Sequence, residues 1–275
     1  MLLGNESLDL RLTLIESAQC FIWRETQQGF IAVVQGAPVC VWKQGEALLA
    51  EGDLSPQQLR QYFDLNRDYA EVAAQYGHIA QARRAIELYP GLRVMNQDPW
   101  EALISFILSA NNNVGRIRNL VEAISRELGS GFDVSGKRIY GLPTPEALAA
   151  CPEDRLRSLG VGYRAPYLVK TARMVLEGFP LWELRNMPYE QAHGLLTQLS
   201  GVGDKVADCM LLFGCGHSSA FPVDVWVERL LKSWFSVECK SRREMMRTAR
   251  QLLGENAGLL QQFLFHAARM GDIEL

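Results

Sequence analysis

The sequence predicts an α+β chain, mainly α: an N-terminal antiparallel β-sheet domain followed by two helical lobes, with a tight hairpin between two helices at the cleft where the lobes meet. Three observations predict it. Roughly the first fifty residues run in β-branched and aromatic stretches separated by turn residues. From Ser55-Pro56-Gln57 onward the apolar residues recur at helical period, with proline at several helix starts. Gly201 and Gly203 then break a helical pattern over so few residues that one helix must end and another begin almost at once.

In chain order, Leu8 to Ile15 alternates, Gln19 to Arg24 carries Cys20, Phe21, Ile22 and Trp23, and Gly29 to Val34 and Val39 to Lys43 follow; all four read as strands. Helix starts fall at Ser55-Pro56, Asp98-Pro99, Thr144-Pro145 and Cys151-Pro152, and everything after Ser55 reads as helix. Tyr189 to Leu199 places Ala192, Leu195, Leu196 and Leu199 on one face, and a second helix begins near Asp204, so the hairpin unit spans about 189–213. The expected division is a sheet domain with helices at 1–95, a helical domain carrying the hairpin at 96–215, and C-terminal helices at 216–275. These last, near Val223 to Trp234 and Ala257 to Arg269, pack with the earlier helices as a second lobe and close a pocket at the cleft.

With 275 residues, 48% hydrophobic and 21% charged, the chain can bury two or three sizeable cores, which argues against disorder. No apolar run approaches a membrane span, and Met1-Leu2-Leu3-Gly4-Asn5-Glu6 lacks the basic-then-apolar pattern of a signal peptide, so a cytoplasmic protein with no membrane partner is expected. The six cysteines Cys20, Cys40, Cys151, Cys209, Cys215 and Cys239 form no C-x-x-C pair, and neither a metal site, a disulfide framework nor a cofactor is expected. A net charge of -3 weighs against a nucleic-acid binder. Arg83, Arg84, Arg116, Arg118, Arg155, Arg157 and Arg164, gathered in the middle third, weigh the other way, although scattered arginines on helix faces are the commoner explanation of each.

The hairpin has chemistry of its own. Gly201, Val202 and Gly203 lead into a helix N-terminus, whose free backbone N–H groups and positive dipole end favour an anionic oxygen such as a DNA phosphate. Glycine at 201 and 203 is expected to supply positive φ. Lys205 stands in the first turn, where the dipole disfavours a cation, and a neutral amine is what a nucleophile requires. Taken alone it reads far more readily as a solvated lysine between Asp204 and Asp208; the hairpin together with Pro222-Val223-Asp224 reverses that. Asp224 in Phe221-Pro222-Val223-Asp224-Val225-Trp226 reads equally as a helix N-cap.

Leu199 through Cys209 followed by Pro222-Val223-Asp224 resembles the helix-hairpin-helix signature of base-excision DNA glycosylases. The resemblance extends over most of the chain and narrows to bacterial-type 8-oxoguanine DNA glycosylase/AP lyases. It is carried by Ser17-Ala18-Gln19-Cys20-Phe21-Ile22-Trp23, Gln97-Asp98-Pro99 with Ser105-Phe106-Ile107 and Ser109-Ala110-Asn111-Asn112-Asn113, Leu159-Gly160-Val161-Gly162-Tyr163-Arg164-Ala165, the hairpin with Asp224, and Gln261 through Phe265.

By that resemblance Lys205 attacks C1′ of the damaged nucleotide to give an imine that permits β-elimination, and Asp224 stabilises the developing oxocarbenium charge. The flipped base enters a pocket formed by Ala18, Cys209, Gln261 and Phe265. Asn111, Tyr163, Arg116 and Arg164 fill the vacated stack and read the orphaned cytosine. The implied partner is double-stranded DNA containing 8-oxoguanine opposite cytosine, bound by a monomer close to the bacterial nucleoid. From the residues alone, Cys209 and Phe265 read as core packing; a helix C-cap followed by an N-cap is the lesser reading of Asn111 to Asn113, since three consecutive asparagines exceed that need.

The sequence departs from the family at three places. Ala18 stands where glycine is usual, which matters if the position needs positive φ; Trp226 stands where many eukaryotic members have histidine, and Ala268 where they have its acidic partner. The alternatives are a glycosylase for another damaged base, an oxidised pyrimidine or an alkylpurine, or a noncatalytic DNA-binding protein. The absence of any cysteine after Cys239 argues against the iron–sulfur relatives, and Lys205 argues against alkylpurine enzymes, which work without a lysine nucleophile.

Overall fold

The computed structural model describes residues 1–274, apart from the side chain of Asn5. A five-stranded antiparallel sheet in the order β1-β5-β4-β3-β2 is formed by β1 (Leu2–Asn5), β2 (Arg24–Thr26), β3 (Gly29–Val34), β4 (Ala37–Gln44) and β5 (Ala47–Gly52). Gln35 and Gly36, with φ of 52° and 76°, make the two-residue β3–β4 turn whose twist suits a hairpin. One sheet face closes over Leu8, Leu14, Trp23, Leu59, Tyr62 and Phe63.

Two expected strands are absent, for identifiable reasons. In the stretch from Leu8 to Ile15 lies a π-helical turn, Leu12–Glu16, closed by the Ser17 N–H donating to the Leu12 carbonyl at 2.8 Å. Its apolar alternation serves two cores: Leu12 packs into the helical core and Leu14 into the sheet core. Gln19 to Arg24 is irregular until β2 begins at Arg24, because side chains replace the ladder. The Gln19 amide donates to the Arg93 carbonyl and accepts from the Met95 N–H, both at 2.8 Å, while the Gln97 amide donates to the Gln19 carbonyl at 2.8 Å.

Helices follow as α1 (Pro56–Tyr62), α2 (Tyr69–Tyr76), α3 (Ala80–Leu88), α4 (Pro99–Ser109) and α5 (Val114–Leu128). Ser55 and Gln58 form a capping box on α1, and Asp98 caps α4 through the Trp100 and Glu101 N–H groups. The helical run is then interrupted. β6 (Gly131–Val134) and β7 (Lys137–Tyr140) form a hairpin that the expectation of continuous helix missed, turning on Ser135 and Gly136, both at positive φ. Ile139, Phe132 and Val134 cover the second face of the large sheet against Ile31, Val33 and Cys40, so β3 is buried on both sides.

The remaining helices are α6 (Pro145–Ala150), α7 (Glu153–Ser158), α8 (Ala165–Leu176), α9 (Tyr189–Leu196), α10 (Asp204–Cys215), α11 (Val225–Phe235), α12 (Arg242–Leu253) and α13 (Ala257–Met270). Pro152 is the N-cap residue of α7 and lies just outside its first turn. α4 and α10 are predominantly apolar and buried along nearly their whole length, which makes them the centre of the helical core. Phe106 and Phe213 stack across them with ring centres 5.4 Å apart, and a Cβ on Gly214 would come within 2.9 Å of the Ala102 side chain. Among the described residues no helix is long and apolar enough to cross a membrane.

α13 approaches the segment before α11 just as closely. The Gly258 N–H donates to the Ser218 carbonyl at 2.8 Å, and any Cβ there would overlap the Ala220 carbonyl and crowd Leu212. Gly258→Ala is therefore expected to destabilise the protein by about 1–3 kcal/mol or more, as overpacking against backbone does. Chemical denaturation at neutral pH checks it, and an unchanged midpoint would contradict it.

Candidate active site

The hairpin between α9 and α10 is held from behind by α8. Gly201 has φ of 80°, and a side chain on it would run into the Tyr167 ring; Thr171 donates to the Ser200 carbonyl at 2.9 Å. Gly203 behaves otherwise than expected. Its φ is -96°, an ordinary extended backbone, and a Cβ on it would meet nothing within 4 Å. Gly203 is instead the exposed N-cap of α10, with no side chain of its own to occupy the first-turn N–H groups. That leaves a bare, dipole-positive helix end open to an anionic oxygen.

Lys205 is half-buried in the first turn of α10. Its Nζ donates to Ser109 Oγ at 3.2 Å and lies 5.5 Å from the Phe106 ring centre. Ser109 Oγ in turn donates to the Phe106 carbonyl at 2.7 Å, so the end of α4 orients the amine. Asp224 is the N-cap of α11: its Oδ1 accepts from the Trp226 and Val227 N–H groups, each at 2.9 Å. Oδ2 takes no hydrogen bond among the described residues. Capping therefore occupies one carboxylate oxygen and leaves the other for chemistry.

Lys205 and Asp224 open into one cavity of about 590 Å³. Ala18, Phe21 and Phe265 line it from the sheet side and from α13; Phe106, Ser109 and Asn111 line it from α4; Gly201, Gly203 and Val223 complete it. Ala18 has φ of 60°, the conformation that its replacement of glycine makes costly. Cys209, one turn beyond Lys205, is buried beneath this surface, and burial pushes its thiol up to about 11, so it stays protonated at neutral pH. Gln261 is likewise buried one turn before Phe265 on α13. A larger depression of about 820 Å³ on the outside of the sheet domain has its Arg11 already paired with Glu16 and Glu25, and its Lys43 donates to the Glu6 carbonyl at 2.8 Å.

Asn111 lines the cavity, Tyr163 and Arg164 are tied to Asn111 and to Ala110 by hydrogen bonds, and Arg116 lies on α5 outside the lining. Asn111, at φ of 49°, follows the end of α4, and its amide donates to Tyr163 Oη at 3.4 Å; Asn113 caps α5. Tyr163 is half exposed, its Oη donating to the Ala110 carbonyl at 3.2 Å, and Arg116 is exposed, its side chain making no hydrogen bond among the described residues. Arg164 is buried, stacked on Tyr163, and committed to carbonyls: its Nε donates to Ala110 at 2.9 Å and its Nη2 to Ala110 and to Asn111, the latter at 3.1 Å. Of the two departures on α11 and α13, Trp226 is exposed and Ala268 buried.

Sequence reasoning gave no role to Ser109 or Asp208. Asp208 lies on α10 and reaches the cavity wall, almost wholly buried; Tyr189 Oη donates to its Oδ1 at 2.5 Å and Oδ2 has no partner. Burial outweighs that bond and the nearby Arg250, and pushes the carboxyl up to about 7. No sequence signal distinguishes it from an ordinary helix aspartate. Among the described residues no cluster of three or more His, Cys, Asp or Glu could hold a metal ion.

Residues 104–255 match the HhH-GPD superfamily of base-excision DNA repair proteins, and residues 1–103 match the N-terminal domain of 8-oxoguanine DNA glycosylase. The chain is 33% identical to the "Probable N-glycosylase/DNA lyase" of Methanothermobacter thermautotrophicus, over 92% of this chain and 90% of that one. The Clostridium acetobutylicum 8-oxoguanine glycosylase/lyase, solved with double-stranded DNA containing cytosine opposite 8-oxoguanine, superposes with a TM-score of 0.90 at 31% identity. That match covers 98% of this chain and 94% of the other.

The raised carboxyl of Asp208 gives a pH dependence whose sign is set by linkage. In the unfolded chain the group ionises near its ordinary 3.8, whereas in the fold it holds its proton to about 7. Between those values the folded state binds more protons, so stability falls as pH rises from about 4 to about 7. Asp208→Asn is expected to flatten that decline, measured as unfolding free energy across this range; an unchanged slope would contradict the assignment.

Proposed function

The chain belongs to the HhH-GPD superfamily of base-excision DNA repair proteins, and from that premise we propose that it excises 8-oxoguanine from duplex DNA and then cleaves the strand, as a glycosylase and AP lyase in one site. The observation that carries this reading is that Lys205 and Asp224, each in the first turn or at the cap of a different helix, open into one cavity walled by Ala18 and Phe265.

In this reading the bare end of α10 takes a phosphate through backbone N–H groups, which explains how a chain of net charge -3 can bind DNA. The damaged nucleotide leaves the stack, and its base enters the cavity beside Phe265, with Gln261 toward its edge and Cys209 beneath it. Lys205 Nζ, oriented by Ser109, attacks C1′ after losing a proton. The C1′–N9 bond breaks with its electron pair leaving on the base, which takes up a proton. The nitrogen–carbon bond becomes an imine as the sugar ring opens, and loss of a 2′ proton then expels the 3′ phosphate.

Asp224 carries the negative charge that stabilises the cationic sugar, through the oxygen that capping leaves free. A carbonyl at Ala18 directed at N7 would accept from 8-oxoguanine, which has a hydrogen there, and repel guanine, whose N7 is an acceptor. Asn111 and Tyr163 fill the gap left by the base, with Arg116 and Arg164 on the cytosine side. The work is done in the cytoplasm at the nucleoid, by a bacterial-type enzyme.

Lys205→Gln is expected to abolish excision and borohydride trapping on 8-oxoguanine duplexes while DNA binding persists, since the phosphate grip is made by backbone; a retained cross-link would contradict the nucleophile assignment. Asp224→Asn keeps a cap oxygen and should slow single-turnover excision by roughly 10²–10³-fold with little loss of lesion affinity.

The different settings of the two arginines predict different phenotypes. Arg116→Ala should lower the preference for cytosine over adenine opposite the lesion by about 1–3 kcal/mol without lowering the melting temperature. Arg164→Ala should lower both, because it releases the Ala110 and Asn111 carbonyls as well. Excision rates on four duplexes and a thermal melt of each variant separate the two.

A further inference from the structure

Ala18 holds a left-handed backbone on the cavity wall, a conformation strained for any residue with a Cβ. Strain of this kind persists only where surrounding contacts over-determine it. The three carbonyls immediately before Ala18 are each taken by a side chain from another part of the fold. Arg118 of α5 donates to Ile15, Arg269 of α13 donates to Glu16, and the Gln262 amide of α13 donates to Ser17 at 2.7 Å. The Ala18 carbonyl itself accepts no hydrogen bond among the described residues. Arg269 also lies 5.8 Å from the ring centre of Phe265, an aromatic that lines the same cavity as Ala18.

This arrangement is costly in charge. Arg118 and Arg269 are half-buried, each has a buried Nε without a partner, and each is held below the usual guanidinium range, first by burial. Arg269 is lowered further by the neighbouring positive charge of Arg118. Two desolvated like charges are a poor way to add stability, since apolar side chains of similar size would often do as well. Their common feature is what they hold: the end of the Leu12–Glu16 π turn, a departure from regular helix of the kind found beside functional sites.

We propose that Arg118, Arg269 and Gln262 are positioning residues that clamp the π turn, hold Ala18 in its left-handed conformation at a fixed distance from Phe265, and so set which bases the pocket accepts. The proposal rests on the reading that this cavity receives the flipped base. It assigns no contact with substrate to the three residues. Their effect is confined to steps in which a base must be seated.

The test compares Arg118→Met and Arg269→Met with the unaltered protein in two reactions: single-turnover excision of 8-oxoguanine, and strand cleavage at a preformed abasic site, which has no base to seat. Excision should fall roughly ten- to a hundredfold, the cost of a small misplacement, while cleavage at the abasic site is retained. Adding Ala18→Gly to Arg269→Met should restore part of the excision, because glycine takes the left-handed backbone without strain.

Parallel loss of both reactions, or loss of neither, overturns the proposal. Should the methionine variants fail to fold, Gln262→Leu removes one clamp bond at nearly constant volume and is judged by the same two reactions. Failure of the unaltered protein to excise 8-oxoguanine would count against the functional reading instead. The clamp would then stand or fall on hydrogen exchange across residues 12–20, expected to accelerate in the clamp variants and overturning the proposal if unchanged.

Discussion

The structure depends on one constraint: α10 must be buried along its length and bare at its N-terminus. A helix this apolar can exist only inside a core, which α4, α9 and the other helices of the same apolar cluster supply. The same helix must present unsatisfied N–H groups to solvent if it is to grip an anion, which forbids a side-chain cap and a covering loop at its start. Gly203 as an uncapped N-cap residue meets that requirement, and Gly201, pressed on Tyr167, lets the chain turn sharply enough to keep the end exposed. Lys205 follows from it, one residue inside the bare end and therefore at the boundary between core and cleft.

The opposite wall of the cavity is built by other means. There the sheet domain delivers an irregular segment, with its carbonyls satisfied by side chains from α5 and α13 in place of a ladder. Irregular backbone tied down by polar side chains is stiff only if every tie is made, because each unmet buried group costs about 1–3 kcal/mol. The buried amides of Gln19, Gln97 and Gln262 perform this service for residues 13–19. The sheet and the helices thus meet through a polar network at the point where the pocket needs definition, and through apolar packing elsewhere.

Charge is handled locally. A chain of net charge -3 has no general attraction for DNA, so any binding must come from oriented backbone dipoles and a few placed cations. Several arginines that composition alone offered as a basic cluster are engaged in contacts within the protein, at its surface or beneath it. Arg155 pairs with Glu127, Arg157 with Glu153, and Arg118 and Arg164 hold backbone carbonyls. Arg116 stays exposed on α5.

The sequence by itself determined what local chemistry determines. The turn residues, the apolar period and the caps at Ser55, Asp98, Asn113 and Asp224 are written in a few neighbouring residues, and with them the helical body, strands β3 and β4, the hairpin and the candidate pair Lys205 and Asp224. The tertiary structure decided whatever depends on a distant partner. Leu8 to Ile15 alternates like a strand and folds as a π turn because Leu12 and Leu14 answer to two different cores. Ser109 meets Lys205 only because α4 and α10 stack, and Asp208 differs from a surface aspartate only because Tyr189 and the core close over it. Arg116 and Arg164 look alike in sequence, yet one is free and one is bound, since burial belongs to the packed chain and not to the residue.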